Sequence, residues 1–473
     1  MKKNSIVICI CFAILIGGCS KDSTESNKNT SGYGSNSSIN QDISSLIDSQ
    51  YGNSGLPSSE NNTQTSGNSS QVSSNSAVTI IPPNDLSHDT NASNNVRIFG
   101  LWETDKGQYS IVRLNQSMNI LFLDYSLMKQ YPLCNKPNCD HGGSYCNSFL
   151  GGGLDTGFMF VYNNTLYILY NNELISMNPD GTNRSVVLKV PDKYKANSLI
   201  YADHQFIIEA SVYTAPKEGE QHSHPKWIFL KINLDKKEIN ELGSWEIPEE
   251  NTNNEINESL LGTYNGYAYY RRAQAGEPLA SATQESYDKS LNTAKNGIVK
   301  INIQNGTRDN VLTDTYAKEV DYLQLLGNCI YYHSRQDKAM YEINLNNNSN
   351  KAVINNLNGY CGSTTILDGK LIYYIYYNES DFGKSNPRKP EKRYFDLKTG
   401  SQNQVKNTTN NNEVFIYGIY QDDYLIKIDD KDQKMQVGWI SRQDFWDGKY
   451  DRIKKVFSFN LKEAKNLFRG SRA

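Results

Sequence analysis

The sequence lacks the features of membrane-spanning and nucleic-acid-binding proteins. Its longest apolar run, residues 6–16, has about 11 residues, whereas a helix that crosses a bilayer needs ~20. The sequence also has no large excess of either charge, because 48 Lys and Arg nearly balance 51 Asp and Glu, and neither sign forms a long run. A nucleic-acid surface needs clustered basic residues. These absences argue against a transmembrane helix and against binding of DNA or RNA.

The amino terminus predicts export and lipid attachment. Lys2 and Lys3 precede the apolar run, which ends in Ile16-Gly17-Gly18-Cys19. A basic start, a short apolar core and small residues before a cleavage site are typical of a secretory signal. The last four residues resemble the lipobox of bacterial lipoproteins, which implies that residues 1–18 are removed and that Cys19 is acylated. We therefore expect an extracytoplasmic protein anchored to the bacterial cell membrane by its lipid. The alternative is an ordinary signal with a stray cysteine.

Residues 19–93 are predicted to be a disordered tether. Roughly half of the residues between 20 and about 76 are Ser or Asn, and large apolar side chains are few. Such a segment cannot bury enough surface to offset the entropy lost on ordering. As a flexible coil of about 75 residues it would have an r.m.s. span of ~50 Å. The tether would lift the following domain, residues 94–473, off the membrane.

Residues 94–473 carry an internal repeat that predicts an all-β propeller. A tight polar turn between two apolar, Tyr-rich strands recurs at seven places, namely Asp105-Lys106-Gly107, Asn163-Asn164, Asp203-His204, Asn265-Gly266, Gly327-Asn328, Asp368-Gly369 and Asp422-Asp423. These residue types supply the positive φ that two-residue hairpin turns need. A second turn follows each hairpin, so a period of about 53 residues holds four strands, close to the ~40–50 residues of propeller repeats. We predict about seven four-stranded blades, with six or eight as alternatives.

One blade carries a family resemblance. Residues 175–188, Ile-Ser-Met-Asn-Pro-Asp-Gly-Thr-Asn-Arg-Ser-Val-Val-Leu, resemble the second half of a blade in the propellers of low-density-lipoprotein-receptor-related proteins. The preceding Leu166-Tyr167-Ile168-Leu169 stands where that family has Tyr-Trp-Thr-Asp. The overall plan more closely resembles uncharacterised exported lipoproteins of Gram-positive gut bacteria that contain a propeller of this type. The resemblance implies a lipid-anchored propeller over roughly residues 95–460.

The long insertions are predicted to share one face of the propeller. The four strands of a blade, a to d, follow one another from the axis outwards. The b–c and d–a connections therefore lie on one face, here called the wide face. The a–b and c–d turns lie on the opposite face, here called the tight-turn face. Residues 213–226, 271–296 and 378–393 are b–c insertions. Long loops on a rigid scaffold are where binding usually resides. We expect a ligand there, with Trp227 or the Tyr-rich b–c loops at the rim. The alternative is insertions without function.

The strongest candidate site is a run of three cysteines and one histidine, Cys134, Cys139, His141 and Cys146. These residues match the Cys3His donor set of tetrahedral zinc sites, and Gly142-Gly143 would let the backbone wrap an ion. Exported cysteines also oxidise, so the competing hypothesis is a disulfide plus one remaining thiol. In either case the cluster is expected to be structural and to lie in the d–a connection after the first blade.

Sequence motifs of common enzymes are missing. There is no Gly-x-Ser-x-Gly elbow, no Walker loop, no His-Glu-x-x-His helix and no repeated Asp box. We therefore predict a binding or scaffolding module for a protein or a glycan. The alternative is a lipid-anchored hydrolase or lyase with its site in the propeller axis, which would need carboxylates or histidines with perturbed pKa values to converge there.

Overall fold

Antiparallel hairpins form at all seven of the predicted tight turns. Asn163 and Asn164 have φ of 50° and 52°, and Asp203 and His204 have φ of 49° and 59°, the left-handed pair that matches the twist of a hairpin. The computed structural model describes residue 86 and residues 96–114, 117–127, 129–152, 157–213, 225–247, 256–277, 289–290, 292–317, 319–357, 360–376, 391–405, 414–420, 422–429 and 434–460. The predicted signal, Cys19 and nearly all of the predicted tether lie outside these residues.

The described strands form seven antiparallel sheets, each built on a meander of four consecutive strands. The first strand of the described part of the chain is β1 (Val96–Ile98). Blade 1 contains β2 (Leu101–Glu103), β3 (Gly107–Leu114), β4 (Ser117–Asp124), β5 (Lys129–Pro132) and β6 (Phe149–Gly152). Blade 2 contains β7 (Phe158–Tyr162), β8 (Thr165–Tyr170), β9 (Glu173–Met177) and β10 (Ser185–Lys189). Blade 3 contains β11 (Lys195–Ala202), β12 (Gln205–Tyr213), β13 (Pro225–Asn233) and β14 (Glu238–Trp245).

The remaining four blades repeat this plan. Blade 4 contains β15 (Ile256–Tyr264), β16 (Tyr267–Gln274), β17 (Lys295–Asn302) and β18 (Arg308–Tyr316). Blade 5 contains β19 (Asp321–Leu326), β20 (Cys329–Ser334), β21 (Ala339–Asn344) and β22 (Ser349–Ile354). Blade 6 contains β23 (Tyr360–Leu367), β24 (Lys370–Tyr376), β25 (Glu391–Asp396) and β26 (Gln402–Gln404). Blade 7 contains β27 (Val414–Tyr420), β28 (Asp423–Asp429), β29 (Lys434–Ser441) and β30 (Lys454–Asn460).

These sheets confirm the predicted all-β propeller. First strands of successive blades pack against one another, as β2 does on β7, β15 on β19, and β19 on β23. Blade 7 meets blade 1 through an edge-to-face contact between Trp439 and Tyr125, whose ring centroids are 4.6 Å apart. Within the described part of the chain, the first and last blades share no strand. Side-chain packing therefore joins them.

The core lies between neighbouring blades. The Phe160 ring of blade 2 stacks on Phe206 of blade 3 with centroids 4.3 Å apart. Trp245 of blade 3 packs against Phe229 at 4.5 Å and against Tyr270 of blade 4 at 5.7 Å. Large aromatic side chains bury 150–250 Å² each, so they suit wedge-shaped gaps between twisted sheets. The Tyr-rich composition thus has a structural use.

Strand β1 occupies a position that the sequence did not predict. It pairs with β11 on the side facing the axis, with Val96 opposite Tyr201 and Ile98 opposite Leu199, and so becomes the innermost strand of blade 3. The Arg97 guanidinium donates to the Leu260 carbonyl of blade 4 at 3.0 Å. Because β1 runs antiparallel to β11, the chain enters the axis from the tight-turn face and leaves it at the wide face.

One predicted turn is a short helix. Between β29 and β30 the chain forms α1 (Arg442–Asp447), which the Ser441 hydroxyl caps by accepting the Asp444 N–H. Gly448 ends the helix with φ of 73°. Trp446 on this helix donates to the Tyr424 hydroxyl at 3.0 Å. Among the described residues, no helix has the length and apolar character needed to cross a membrane.

Candidate metal centre and wide face

The cysteine-rich segment interrupts the outer strand of blade 1. Strand β5 pairs with the second half of β4, from Leu121 to Asp124, and β6 pairs with its first half, from Ser117 to Asn119. Residues 133–148 leave the sheet between these two pieces. The prediction that this segment is a d–a connection is therefore wrong. Because β5 covers only half of β4, a second piece of strand is needed to complete the outer edge.

The four predicted donor residues come together in this excursion. The sulfur atoms of Cys134, Cys139 and Cys146 and a ring nitrogen of His141 all lie within 4.8 Å of one another. His141 Nδ1 lies 3.3 Å from Cys146 Sγ, and none of the three thiols is in a disulfide. Four ligands around one zinc would lie about 3.3–3.8 Å apart, given metal–ligand lengths of 2.0–2.3 Å. This Cys3His group could therefore bind a metal ion.

Two left-handed residues shape the backbone around the donors. Asn138 and His141 have φ of 55° and 56°, whereas Gly142 and Gly143 are not in this region. Asp140 Oδ1 accepts the N–H of Gly142 at 3.1 Å and so closes a local turn. The two glycines therefore do not supply the left-handed conformation, and the expectation that they let the backbone wrap an ion stays a prediction. Asn and His tolerate the left-handed region better than most residues.

The Cys139 thiol is costly to ionise unless a cation is present. The pKa of the Cys139 thiol is raised to about 12, chiefly by burial and in addition by hydrogen bonds with Cys146 and Cys134, while a hydrogen bond with the His141 backbone opposes the rise. Cys146 is buried, with its sulfur 2.9 Å from the Ser148 hydroxyl. Metals bind the thiolate, so a bound divalent cation would reverse this preference.

A second polar cluster lies at the wide face between blades 4 and 5. The Asp321 carboxylate contacts Nη2 of Arg335 at 2.6 Å and Nη2 of Arg271 at 3.7 Å. Arg271 also donates twice to Asn296 Oδ1, at 3.2 and 3.0 Å. The Arg271 side chain is 37% exposed, so its guanidinium reaches solvent at this face. No motif indicated this cluster, whose members are separated by up to about 60 residues in sequence.

The backbone of this cluster is strained. Tyr322 has φ of 51°, which is uncommon for a bulky aromatic residue, and the pairing of β19 with β20 shifts register between Asp321 and Gln324. His333, opposite Asp321, is only 1% exposed, and neither ring nitrogen has a hydrogen-bond partner among the described residues. Burial, together with the charge of Arg335, lowers the pKa of His333 to about 3. Strain and an orphaned buried polar group in one place mark a candidate functional region.

The other buried acidic side chains are held in place by partners. Glu258 pairs with Arg272 at 3.6 Å and with Arg308 at 2.8 Å, and Arg272 also contacts Asp314 at 2.8 Å. Burial raises the pKa of Glu209, although the Ser198 hydroxyl donates to it and Arg97 lies nearby. These pairings compensate most of the buried charge.

Exposed aromatic rings concentrate on the wide face. Four large aromatic side chains are exposed among the described residues. Phe99, Tyr213 and Tyr316 lie at strand ends on the wide face, whereas Tyr145 lies in the excursion of residues 133–148. Trp227 does not join them, because it is half-buried and stacks on Trp245 with centroids 6.2 Å apart. Of the two aromatic groups predicted for the rim, Trp227 is therefore only partly exposed, whereas Tyr213, at the start of a b–c connection, is exposed.

Solved structures with a similar fold come from several kinds of protein. An oligogalacturonate lyase from Vibrio parahaemolyticus is 11% identical, with a TM-score of 0.39, 72% of this chain covered and 91% of that one. The β-propeller domain of the Trilobed protease from Pyrococcus furiosus is 10% identical, with a TM-score of 0.37, 75% of this chain covered and 94% of that one. The acylaminoacyl peptidase of Pyrococcus horikoshii is 10% identical, with a TM-score of 0.39, 81% of this chain covered and 56% of that one. No protein-family model and no curated protein matches the chain.

Proposed function

We propose that this protein is a lipid-anchored, extracytoplasmic binding module whose wide face engages a protein or a glycan. The observation that carries the proposal is the exposure of Phe99, Tyr213 and Tyr316 on the face that also bears the long connections. Exposed aromatic rings combine a large apolar surface with little conformational entropy to lose, and they are enriched at binding surfaces. Arg271, which reaches solvent on the same face, adds a charged donor.

The pairing of the buried carboxylates favours binding over catalysis. A hydrolase or lyase acting at the axis needs a carboxyl or imidazole group that exchanges protons with a substrate. Glu258 and Asp321 each contact two guanidinium groups, and His333 is only 1% exposed. This arrangement suits residues that hold the blades in place, so we rank the enzyme second.

Position-specific crosslinking tests the binding function. A photoactivatable benzoyl-phenylalanine at position 213 or 316, introduced into the full chain in its own cells, should give crosslinks to one discrete partner. The same crosslinking residue at position 127, on the tight-turn face, or at position 186, on the outer edge of blade 2, should give no crosslinks, although both positions are also exposed. Equal crosslinking at all four positions, or at none, would contradict a binding role of the wide face.

For glycans, which such crosslinks detect poorly, direct binding provides the test. The triple change Phe99→Ala, Tyr213→Ala and Tyr316→Ala should abolish retention of the protein on isolated cell-wall polysaccharide, because the stacking surface is lost. The matched control is the double change Leu127→Ala and Val186→Ala, which removes exposed apolar groups elsewhere. Equal retention of both variants would contradict this binding site.

The lipid anchor makes a separate prediction. Cys19→Ala should move the protein from the detergent phase to the aqueous phase in a partitioning experiment, because the residue that carries the lipid is gone. Cys329→Ser, a change inside the propeller, should leave the partitioning unchanged. Retention of the Cys19 variant in the detergent phase would contradict the lipobox.

We also propose that Cys134, Cys139, His141 and Cys146 hold a structural zinc ion. Four protein donors leave no open position, as in zinc sites that stabilise a fold rather than catalyse a reaction. The ion would close the excursion of residues 133–148, which otherwise has few backbone hydrogen bonds of its own. Its role would be to hold the two pieces of the outer strand of blade 1 together.

A further inference from the structure

Arg184 of blade 2 contacts the end of the cysteine-rich excursion. Its Nη1 donates to the carbonyl oxygen of Asn147 at 3.1 Å and also to that of Phe149. These two carbonyls lie just after Cys146, the most buried of the four donors. A side chain more than 30 residues away in sequence therefore fixes the backbone that follows the last donor.

Blade 2 also contacts the beginning of the excursion. The turn before Arg184 closes with a hydrogen bond from the Gly181 N–H to the Asn178 carbonyl at 2.8 Å. A Cβ atom at Gly181 would lie 2.6 Å from the Leu133 carbonyl oxygen, and φ there is 82°. Only glycine permits such a close approach. The turn therefore packs closely against Leu133, the residue that precedes Cys134.

The charge of Arg184 complements that of the proposed centre. A zinc ion with three thiolates and a neutral imidazole carries a net charge of about −1. A partly buried guanidinium beside it would offset that charge, and arginine remains protonated under all ordinary conditions. Zinc-bound thiolates, in turn, would offset the cost of burying the guanidinium.

We infer that Arg184 is a positioning residue of the metal centre, and that the centre joins blade 1 to blade 2. The inference rests on the proposed zinc site. Arg184 would hold the carbonyls of Asn147 and Phe149 so that Cys146 faces the other donors. Loss of the metal would then loosen the contact with the Asn178–Arg184 turn as well as the excursion itself.

Zinc affinity of three variants tests this inference. Arg184→Gln, which removes the charge, should weaken zinc binding by ~10–100-fold in a chelator competition, as changes beside metal ligands commonly do. Arg184→Lys keeps the charge but has a shorter side chain with a different donor geometry, so it should restore part of the affinity. Arg452→Gln, which changes an exposed arginine of blade 7, should bind zinc like the wild type.

Two further measurements make the outcomes distinct. Cobalt(II) bound to the wild type should show thiolate charge-transfer bands, and these should shift in Arg184→Gln but not in Arg452→Gln. Removal of zinc from the wild type should cause loss of hydrogen-exchange protection at Gly181 and Thr182. Wild-type affinity and spectra in both Arg184 variants would overturn the inference and leave the zinc site standing. Absence of zinc from the wild type would instead refute the zinc site itself.

Discussion

Changing Cys146 to Ser should lower the zinc content of the protein from about one ion per chain to less than about a tenth, because a structural site needs all four ligands. Cys146 is buried and its sulfur lies against His141 and Ser148. A serine hydroxyl does not ionise at neutral pH and cannot replace a thiolate. The affinity should fall by more than the ~10–100-fold typical of changes outside the ligand set.

Metal analysis of anaerobically purified protein, combined with intact mass, measures this effect. The matched control is Cys329→Ser, because Cys329 is a free, half-buried thiol that lies outside the cluster. This variant should keep its zinc. Less than a tenth of a zinc ion in the wild type, together with a disulfide among Cys134, Cys139 and Cys146, would contradict the zinc site. The excursion would then be held by that disulfide alone.

Acid should destabilise the propeller through His333, and His333→Phe should remove this part of the pH dependence. The folded-state pKa of His333 is about 3, below its ordinary value of 6.5. Between these values the unfolded chain binds more protons than the folded one, so stability is lost as the pH falls from about 6.5 towards about 3. The loss is about 3 kcal/mol at pH 4.5 and approaches ~5 kcal/mol below pH 3, at roughly 1.4 kcal/mol for each pKa unit.

The physical cause is the surroundings of the imidazole. Burial removes water from the ring, and the Arg335 guanidinium adds unfavourable charge. The Asp321 carboxylate, which could have offset a proton on His333, is already bound to Arg335 and to the Tyr322 N–H. The aromatic ring of Tyr322 lies 6.4 Å from the imidazole between centroids. Phenylalanine would place a somewhat larger, apolar ring there with no group to protonate.

Urea unfolding of both proteins at pH 7.5 and pH 4.5 measures the difference. Comparing variant with wild type cancels the titration of other groups, including Glu209, whose raised pKa acts in the opposite direction. His204→Asn, a change at an exposed histidine, is the control and should follow the wild type. An identical loss of stability in His333→Phe and in the wild type would show that His333 does not cause the acid sensitivity.

The blade pattern could be predicted because its causes are local. At five of the seven tight turns, Asn, Asp, His or Gly adopts the positive φ that a hairpin turn needs, a local preference that holds whatever the rest of the chain does. The Cys3His donor set could be predicted for the same reason, since about 13 residues contain all four ligands. The proposed wide-face site combines side chains from several blades, so these local patterns alone did not indicate it.

The sequence by itself determined an all-β chain of seven repeated hairpins and the identity of the four donors. Only the tertiary structure placed β1 in the axis, split the outer strand of blade 1 around the donors, and brought Arg184 to them. It also brought Arg271, Asp321 and Arg335 together. The reason is that three residues of strand, or a single arginine, look the same in sequence whether they are buried against a distant blade or exposed to water. The packing of one blade against the next decides between these outcomes.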